Sequence, residues 1–497
     1  MRESGILLPI SSLPSDYGIG CFDEEARRFI DQLAGAGQRV WQVLPFGPTG
    51  YGDSPYQPFS VYAGNPYFIS LKALVEKGWL SRADCESVNW GSDPRRVDYG
   101  TLYNRRFVLL QKAFAASGIE NTADFQAFIR ENPWLDDYAL FMALKNAHSG
   151  ASWQDWEEPL KRRDPQALAA VRERYRGEIT FQCFIQYCFF TQWREILDYA
   201  HSKQVRILGD IPIYVSMDSA DVWAQPRLFQ LDEALRPAAV AGCPPDAFAP
   251  GGQLWGNPLY DWDYHQKDHF SWWIARTRFT FTLCDILRID HFRGFEAYFS
   301  IPAGDRDARN GHWVQGPGMA VFDALREALG EREIVAEALG YVTDEVRALI
   351  RRTGFADMKV LQFAFDARDT GSASDYLPHN YPENCVAYTG THDNATLLGW
   401  QQEISPAELD TARRYLCTGA GDQDLVWAMV CAALRSVAKL AVIPIQDYLG
   451  YGGEARMNKP STQENNWTWR LLKEELTPAL LEKIGAATRL YGRGGAQ

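Results

Sequence analysis

A closed barrel of eight parallel strands wrapped by helices, the (β/α)8 class, is the fold that the sequence predicts. Three observations predict it. Eight short apolar runs, at residues 6–10, 39–46, 205–213, 286–292, 333–339, 358–365, 385–393 and 440–446, are each nearly continuous in hydrophobicity, as strands covered on both faces are. Helical patterns such as 24–35, 319–329 and 343–352 lie between them, which is the alternation of a parallel sheet. Only residues 447–497 follow the eighth run, mostly helical in pattern, so no length remains for a C-terminal β-sandwich domain. Eight is the strand count of a barrel. An open doubly wound sheet shares the alternation, and periodicity alone does not establish closure.

Taken in order, the first two runs are joined by the helix pattern 24–35, an ordinary βα connection. The stretches 48–204 and 214–284 are then far longer than the roughly 2–6 residues a βα loop needs, so each predicts an insertion in one catalytic barrel spanning 1–497. The first insertion reads as largely helical, with strong patterns at 103–116, 167–175 and 184–201. The second is rich in Pro and Gly, from Cys243-Pro244-Pro245 to Gly256-Asn257-Pro258, and reads as a shaped loop with helix at the barrel mouth. Near 343–352, Thr343 reads as an N-cap with Asp344 and Glu345 in the electropositive first turn. No internal repeat or low-complexity tract is present.

Composition narrows the partners. Fifty Lys and Arg against 63 Asp and Glu give a formal charge of −13, which argues against nucleic acid and anionic membrane surfaces. No apolar run approaches the ~18 residues of a membrane span. The apolar stretch 5–10 is too short for a signal peptide, so the expected location is the cytoplasm. Nine cysteines, odd in number and never spaced C-x-x-C, read as reduced thiols. Aromatics reach 13%, with 17 Trp and 23 Tyr; their flat faces and polar edges suit sugar rings, and equally suit a core.

In a barrel the chemistry sits at the C-terminal ends of the strands. That position holds Asp210, Asp290, Glu337, Asp393 and Asp447. A single acid there is explained by capping the next helix; five, with Arg and His neighbours, exceed that need. Strand alternation puts Arg288 and Asp290 on one face and Leu287 and Ile289 on the other. With the aliphatic pair turned to the helices, guanidinium and carboxylate point into the mouth, and the cation is expected to lower the Asp290 pKa. Glu337, beside Val335 and Ala336, is expected to stay protonated. Two carboxyls under opposite pressures suit glycosidic bond cleavage; a buried structural ion pair is the competing account of Arg288 and Asp290. His265 and His269 stand four apart beside Asp263 and Asp268, a spacing that can bind metal, but at the polar start of an amphipathic stretch they read as a solvated helix face. There is no nucleophile elbow, phosphate loop or dinucleotide fingerprint.

The runs SSLPSDYGIGCF, WQVLPFGPTGYGDSPYQPFSVYAGNPYFISL, GDIPIYV, GQLWGNPLYDW, LRIDHFRGF, VAEALG, THDN and RMNKP…NNWTWR, in this order, make the chain closely resemble the 4-α-glucanotransferases called amylomaltases or disproportionating enzymes, of the α-amylase clan. The resemblance implies a (β/α)8 barrel with helical insertions and a retaining transfer among α-1,4-glucans, with maltooligosaccharides, amylose and glycogen-derived dextrins as substrates and glucose as acceptor. It implies Asp290 as nucleophile, Glu337 as acid and base, and Asp393, with His392 beside it, as transition-state stabiliser. Arg288 would orient the nucleophile, and Asp210 and His291 would stand at the rim of the reacting-sugar subsite. Tyr56 matches a substrate-stacking tyrosine, Trp255 a loop arching over acceptor sites, and Tyr99 a remote glucan groove. No metal or organic cofactor is implied. Two residues depart from the family pattern: Lys459 replaces an apolar residue and Asn465 a common Gly. A glucan hydrolase with the same acids, or a non-catalytic glucan-binding barrel, are the rival functions.

Overall fold

The computed structural model describes residues 2–50, 52–245, 249–340, 342–365, 373–462 and 464–494. Its strands in chain order are β1 (Glu3–Leu7), β2 (Val40–Gln42), β3 (Arg206–Pro212), β4 (Ala239–Cys243), β5 (Gln253–Pro258), β6 (Ile286–Asp290), β7 (Ala297–Pro302), β8 (His312–Gln315), β9 (Ile334–Ala336), β10 (Ala356–Val360), β11 (Cys385–Tyr388) and β12 (Leu440–Pro444). Eight of them close a barrel in the order β1-β12-β11-β10-β9-β6-β3-β2. Closure is made by β1, which pairs in parallel with β2 (Gly5 opposite Val40) and with β12 (Ile6 opposite Ile443). A Cβ at Gly5 would stand 2.4 Å from the Val40 carbonyl oxygen, so only glycine fits this seam. The fold is therefore a (β/α)8 barrel.

Alternation along the strands sorts the side chains. Leu7, Val40, Leu208, Ile286, Val335, Met358, Val386, Leu440 and Val442 fill the barrel interior, while Ile6, Trp41, Ile207, Leu287 and Ile289 face the helices. Trp41 is fully buried under Phe29 and donates its indole N–H to the Leu8 carbonyl at 2.8 Å. Helix Glu24–Gly35 starts where Asp23 accepts from the Glu25 amide, and helix Asp344–Thr353 where Thr343 accepts from Val346.

Several apolar runs overshoot their strands. The first strand is Glu3–Leu7 rather than 6–10, because Pro9 has no N–H to give a ladder and opens a turn at Ile10–Ser12. Strand β10 stops at Val360, Leu361–Ala364 being a 3-10 turn, and β11 stops at Tyr388. The surplus apolar residues belong to loops beyond the strand ends and are buried there, Phe365 for example against Trp400 and Tyr415. Within 48–204 the longest helix is Arg176–Ser202, and the pattern at 103–116 resolves into a π turn, Leu102–Arg106, followed by Phe107–Ser117. The stretch 214–284, read as loop and helix, also carries β4 and β5. These join β7 and β8 in a separate antiparallel sheet, order β5-β4-β7-β8. β4 and β5 pair with each other through a register shift across a Pro- and Gly-rich link, and β4 also pairs with β7 beyond Asp290, so no regular hairpin pattern marked them.

The mouth end of β3 is fastened by Arg276, 1% exposed, which donates to the carbonyls of Pro212 (2.6 Å) and Ile213 (3.1 Å); the Tyr260 hydroxyl donates to Ile213 as well (2.8 Å). Substituting Arg276→Met should cost about 3 kcal/mol of folding stability, since two buried charge-assisted bonds go unreplaced; urea unfolding of the variant measures it.

Candidate active site

Adjacent barrel strands carry the core of the site. Register sets Asp210 on β3 directly beside Arg288 on β6, and Pro212 beside Asp290. The Arg288 guanidinium, 3% exposed, donates from one nitrogen to both Asp210 oxygens (2.7 and 2.6 Å) and from the other to Asp290 Oδ1 (2.8 Å). The Asp210 side chain has no exposed surface and also accepts the Tyr56 hydroxyl at 2.8 Å. It therefore anchors Arg288 and Tyr56 from below, where a rim position in the open cleft was expected.

Immediately after β6 the chain turns. His291 takes a left-handed conformation, φ 51°, and its amide donates to Glu337 Oε2 at 2.6 Å. The Phe292 amide donates to the Glu337 carbonyl (2.8 Å), and the Glu337 amide to the Ile289 carbonyl (3.0 Å). These bonds carry the β6–β9 pairing one step past the strands and fix Glu337 beside the Asp290 segment. The His291 imidazole lies under the Trp255 ring, 4.8 Å away and perpendicular to it.

Asp393 comes from the loop after β11. Its carboxylate is 43% exposed to the cleft; Oδ1 accepts from the Asn458 side-chain amide (2.6 Å) and Oδ2 faces His392 Nε2 at 3.4 Å. The His392 ring, 2% exposed, stacks nearly parallel on Tyr56 (5.0 Å), and Trp467 stands 5.9 Å from both rings. Its Nδ1 is 3.4 Å from the Tyr56 oxygen. A continuous polar chain thus runs from Asp393 through His392, Tyr56, Asp210 and Arg288 to Asp290.

Burial dominates the titration of the two central acids. Asp290 is pushed above the ordinary carboxylate range by desolvation, against the pull of Arg288, with Asp210 and Asp393 adding repulsion. The lowered value expected from the Arg288 neighbour alone is thus reversed, first by burial and then because that guanidinium is shared with Asp210. Glu337 is also raised, by desolvation and then by the Asp290 charge. Because Arg288 touches Asp290 and not Glu337, Asp290 is the first of the two to ionise. Asp393 goes the other way: desolvation raises it, but His392 and the Asn458 amide outweigh that and hold it at about 2. Burial leaves the Tyr56 hydroxyl well above its usual range, so it stays protonated.

The remaining expected residues fall into place unevenly. Trp255 lies on β5, its indole N–H on Gln253 Oε1 (3.0 Å), and the same strand is joined to the segment of Tyr56 by a reciprocal amide pair, Gln57 with Asn257 (3.0 and 3.2 Å). Tyr99 gives its hydroxyl to the Trp467 carbonyl (3.0 Å), supporting the ring that backs His392. Asp447, counted among the rim acids, is buried and accepts from the Thr389 hydroxyl (2.6 Å) and the Leu397 amide (2.7 Å), so it anchors the start of helix Leu397–Glu403. Asn465 has φ 61°, the left-handed region where asparagine is the tolerated substitute for glycine, and Lys459 is exposed. His265 is buried on the Leu228 carbonyl (3.2 Å), and among the described residues no three His, Cys, Asp or Glu side chains form a metal site. No helix among them is long and apolar enough to cross a membrane. Sequence reasoning assigned nothing to Arg456, Asn458 or Trp467, although their motif was visible; the contacts that tie them to His392 and Asp393 span more than 60 residues.

Residues 8–476 match the family model described as 4-alpha-glucanotransferase. The chain belongs to the 4-α-glucanotransferase family. It is 47% identical to the 4-alpha-glucanotransferase of Clostridium butyricum, covering 97% of this chain and 99% of that one, and 48% identical to that of Thermus thermophilus, covering 98% and 99%. Among solved structures, an amylomaltase from Streptococcus agalactiae in complex with acarbose superposes with a TM-score of 0.97 at 39% identity, over 100% of both chains. Enzymatic 4-α-glucan transfer is thus the activity class of the family member described here.

Replacing Asp210→Asn would leave Arg288 with one anion where it now has two. The expected loss is about 3–5 kcal/mol, the scale for breaking a buried ion pair, read as a shift in the denaturant midpoint.

Proposed function

We propose that the chain moves α-1,4-glucan segments from a donor maltodextrin to the 4-hydroxyl of an acceptor glucan or glucose, with retention, through a glycosyl ester on Asp290. The observation that carries this reading is the unequal pair: two carboxyls raised by one buried environment, of which only Asp290 holds a guanidinium. In the resting enzyme Asp290 is the anion and Glu337 the acid. Asp290 attacks the anomeric carbon as Glu337 gives its proton to the departing 4-oxygen. Glu337, now a base, takes the proton of the incoming hydroxyl, which displaces Asp290 and restores both groups. Asp393, ionised well below neutral pH, faces the ring hydroxyls and the developing positive charge, with His392 beside it. The Tyr56 and Trp255 rings flank the cleft as stacking surfaces, and the acarbose in the streptococcal amylomaltase agrees with an α-glucan ligand for such a cleft. Tyr99 acts here through Trp467.

Transfer in place of hydrolysis requires an acceptor sugar to outcompete water at the ester. With maltotriose, glucose and longer dextrins should form while the number of reducing ends stays constant; a rise from the first minutes would assign the chain to hydrolysis. Asp290→Asn should abolish transfer and leave maltodextrin binding within a few-fold, and surviving activity would displace Asp290 as nucleophile. In a glucan complex the two carboxyls should stand about 5–5.5 Å apart.

The same pair sets the pH profile. Activity needs Asp290 ionised, so it rises with pH through a raised Asp290 value, and needs Glu337 protonated, so it falls through a raised Glu337 value. The kcat/KM bell should therefore be displaced upward on both limbs, with its acid limb above the ordinary aspartate range near 3.8. An acid limb at or below that range would contradict the assignment.

A further inference from the structure

We propose that Arg456 is a positioning residue for the Asp393 carboxylate, acting through Asn458. The inference rests on the reading of Asp393 as stabiliser given above. Asp393 lies beyond the end of β11, so no strand pairing sets its place; within its own loop its amide donates to Thr391 Oγ1 at 3.3 Å, its carboxylate faces His392 at 3.4 Å, and Thr391 donates to Asn394 Oδ1. The rest of its placement comes from residues 456–458. The Arg456 Nη2 donates to the Asp393 carbonyl at 2.7 Å, and Nε to the Asn458 carbonyl at 2.7 Å. The Asn458 amide donates to the His392 carbonyl at 3.1 Å, and its side-chain amide reaches Asp393 Oδ1 at 2.6 Å. One guanidinium thus binds both the backbone that carries the stabiliser and the backbone that carries the donor to it.

A fork geometry is what this junction needs. Two carbonyls from separate segments are met by two N–H groups fixed in one plane, which the single ammonium point of lysine does not reproduce. The third nitrogen faces Glu403 at 3.3 Å, but Glu403 is 49% exposed and Arg456 only 18%. The ion pair is therefore the outer, weaker contact, and the carbonyls hold the inner one. Without Arg456 the Asn458 segment keeps its bond to the His392 carbonyl but loses its tie to the Asp393 backbone, and the carboxylate, still facing His392 and Arg288, is aimed less firmly across the cleft. Because Asp393 works on the transition state, the loss should fall on kcat.

The test compares Arg456→Met, Arg456→Lys, Asn458→Ala, the Arg456→Met/Asn458→Ala double variant and Glu403→Gln in maltotriose transfer. The expected result is a kcat lower by about 100-fold in Arg456→Met, the scale of a small misplacement, with KM nearly unchanged. Arg456→Lys should fall between it and wild type, the double variant should be no worse than the worse single, and Glu403→Gln should stay within about fivefold. Wild-type kcat in Arg456→Met, a loss expressed only in KM, or additive losses in the double variant would overturn the proposal. Should Arg456→Met fail to fold, Arg456→Lys decides: a lowered kcat at native melting temperature supports it, and wild-type kcat overturns it. Asp393→Asn is assayed beside them; full transfer there would refute the stabiliser reading instead. The positioning claim is then judged by carboxyl NMR of Asp393, whose pKa should climb from about 2 toward 3.8 in Arg456→Met, and which would refute it by staying put.

Discussion

A buried guanidinium shared by two carboxylates is the constraint around which the rest of this barrel is arranged. Arg288 cannot be left unpaired where it sits, since a desolvated cation without anions costs several kcal/mol. Asp210 satisfies it from β3 and Asp290 from its own strand. That need fixes the β3–β6 register, and the register decides that Asp290 ends its strand facing the mouth. Tyr56 is then recruited to the free side of Asp210, which brings the first insertion onto the barrel and places an aromatic face against His392. A requirement of charge burial thus becomes the geometry of a sugar site.

The division of labour between the two central acids follows from the same arrangement. Burial alone would raise both equally, and repulsion alone would not say which ionises first. The asymmetry is one contact of 2.8 Å from Arg288 to Asp290, set against a backbone amide from His291 to Glu337. The amide orients Glu337 without neutralising a negative charge there. Loop residues supply what the strands do not: Asn458 and His392 hold the third acid ionised while leaving it open to the cleft.

Much of this was legible in the sequence because it depends on period-two alternation. The faces of Arg288 and Asp290, and the outward turn of Leu287 and Ile289, follow from side-chain direction in a strand. The barrel strands could be located because both faces are apolar. Other features are set by distant pairing and left no local mark. The second sheet pairs β4 with β7 across β6, and β4 with β5 only through a register shift and a Pro- and Gly-rich link, so its strands looked like loop. Asp447 resembled its neighbours at the strand ends, yet its environment is made by Thr389 and Leu397. The Asp290 shift ran against the expectation from Arg288 because that expectation leaves out the burial of the carboxyl, the larger effect, and then the second anion on the same cation.

The reciprocal amide pair between Gln57 and Asn257 gives the cleft a seam of a particular kind. Each side chain offers one hydrogen and takes one, and the buried Asn257 amide also donates to the Val215 carbonyl at 2.7 Å. Parting the seam would strand a buried amide, so the first and second insertions are tied to one another at this point and not merely laid side by side.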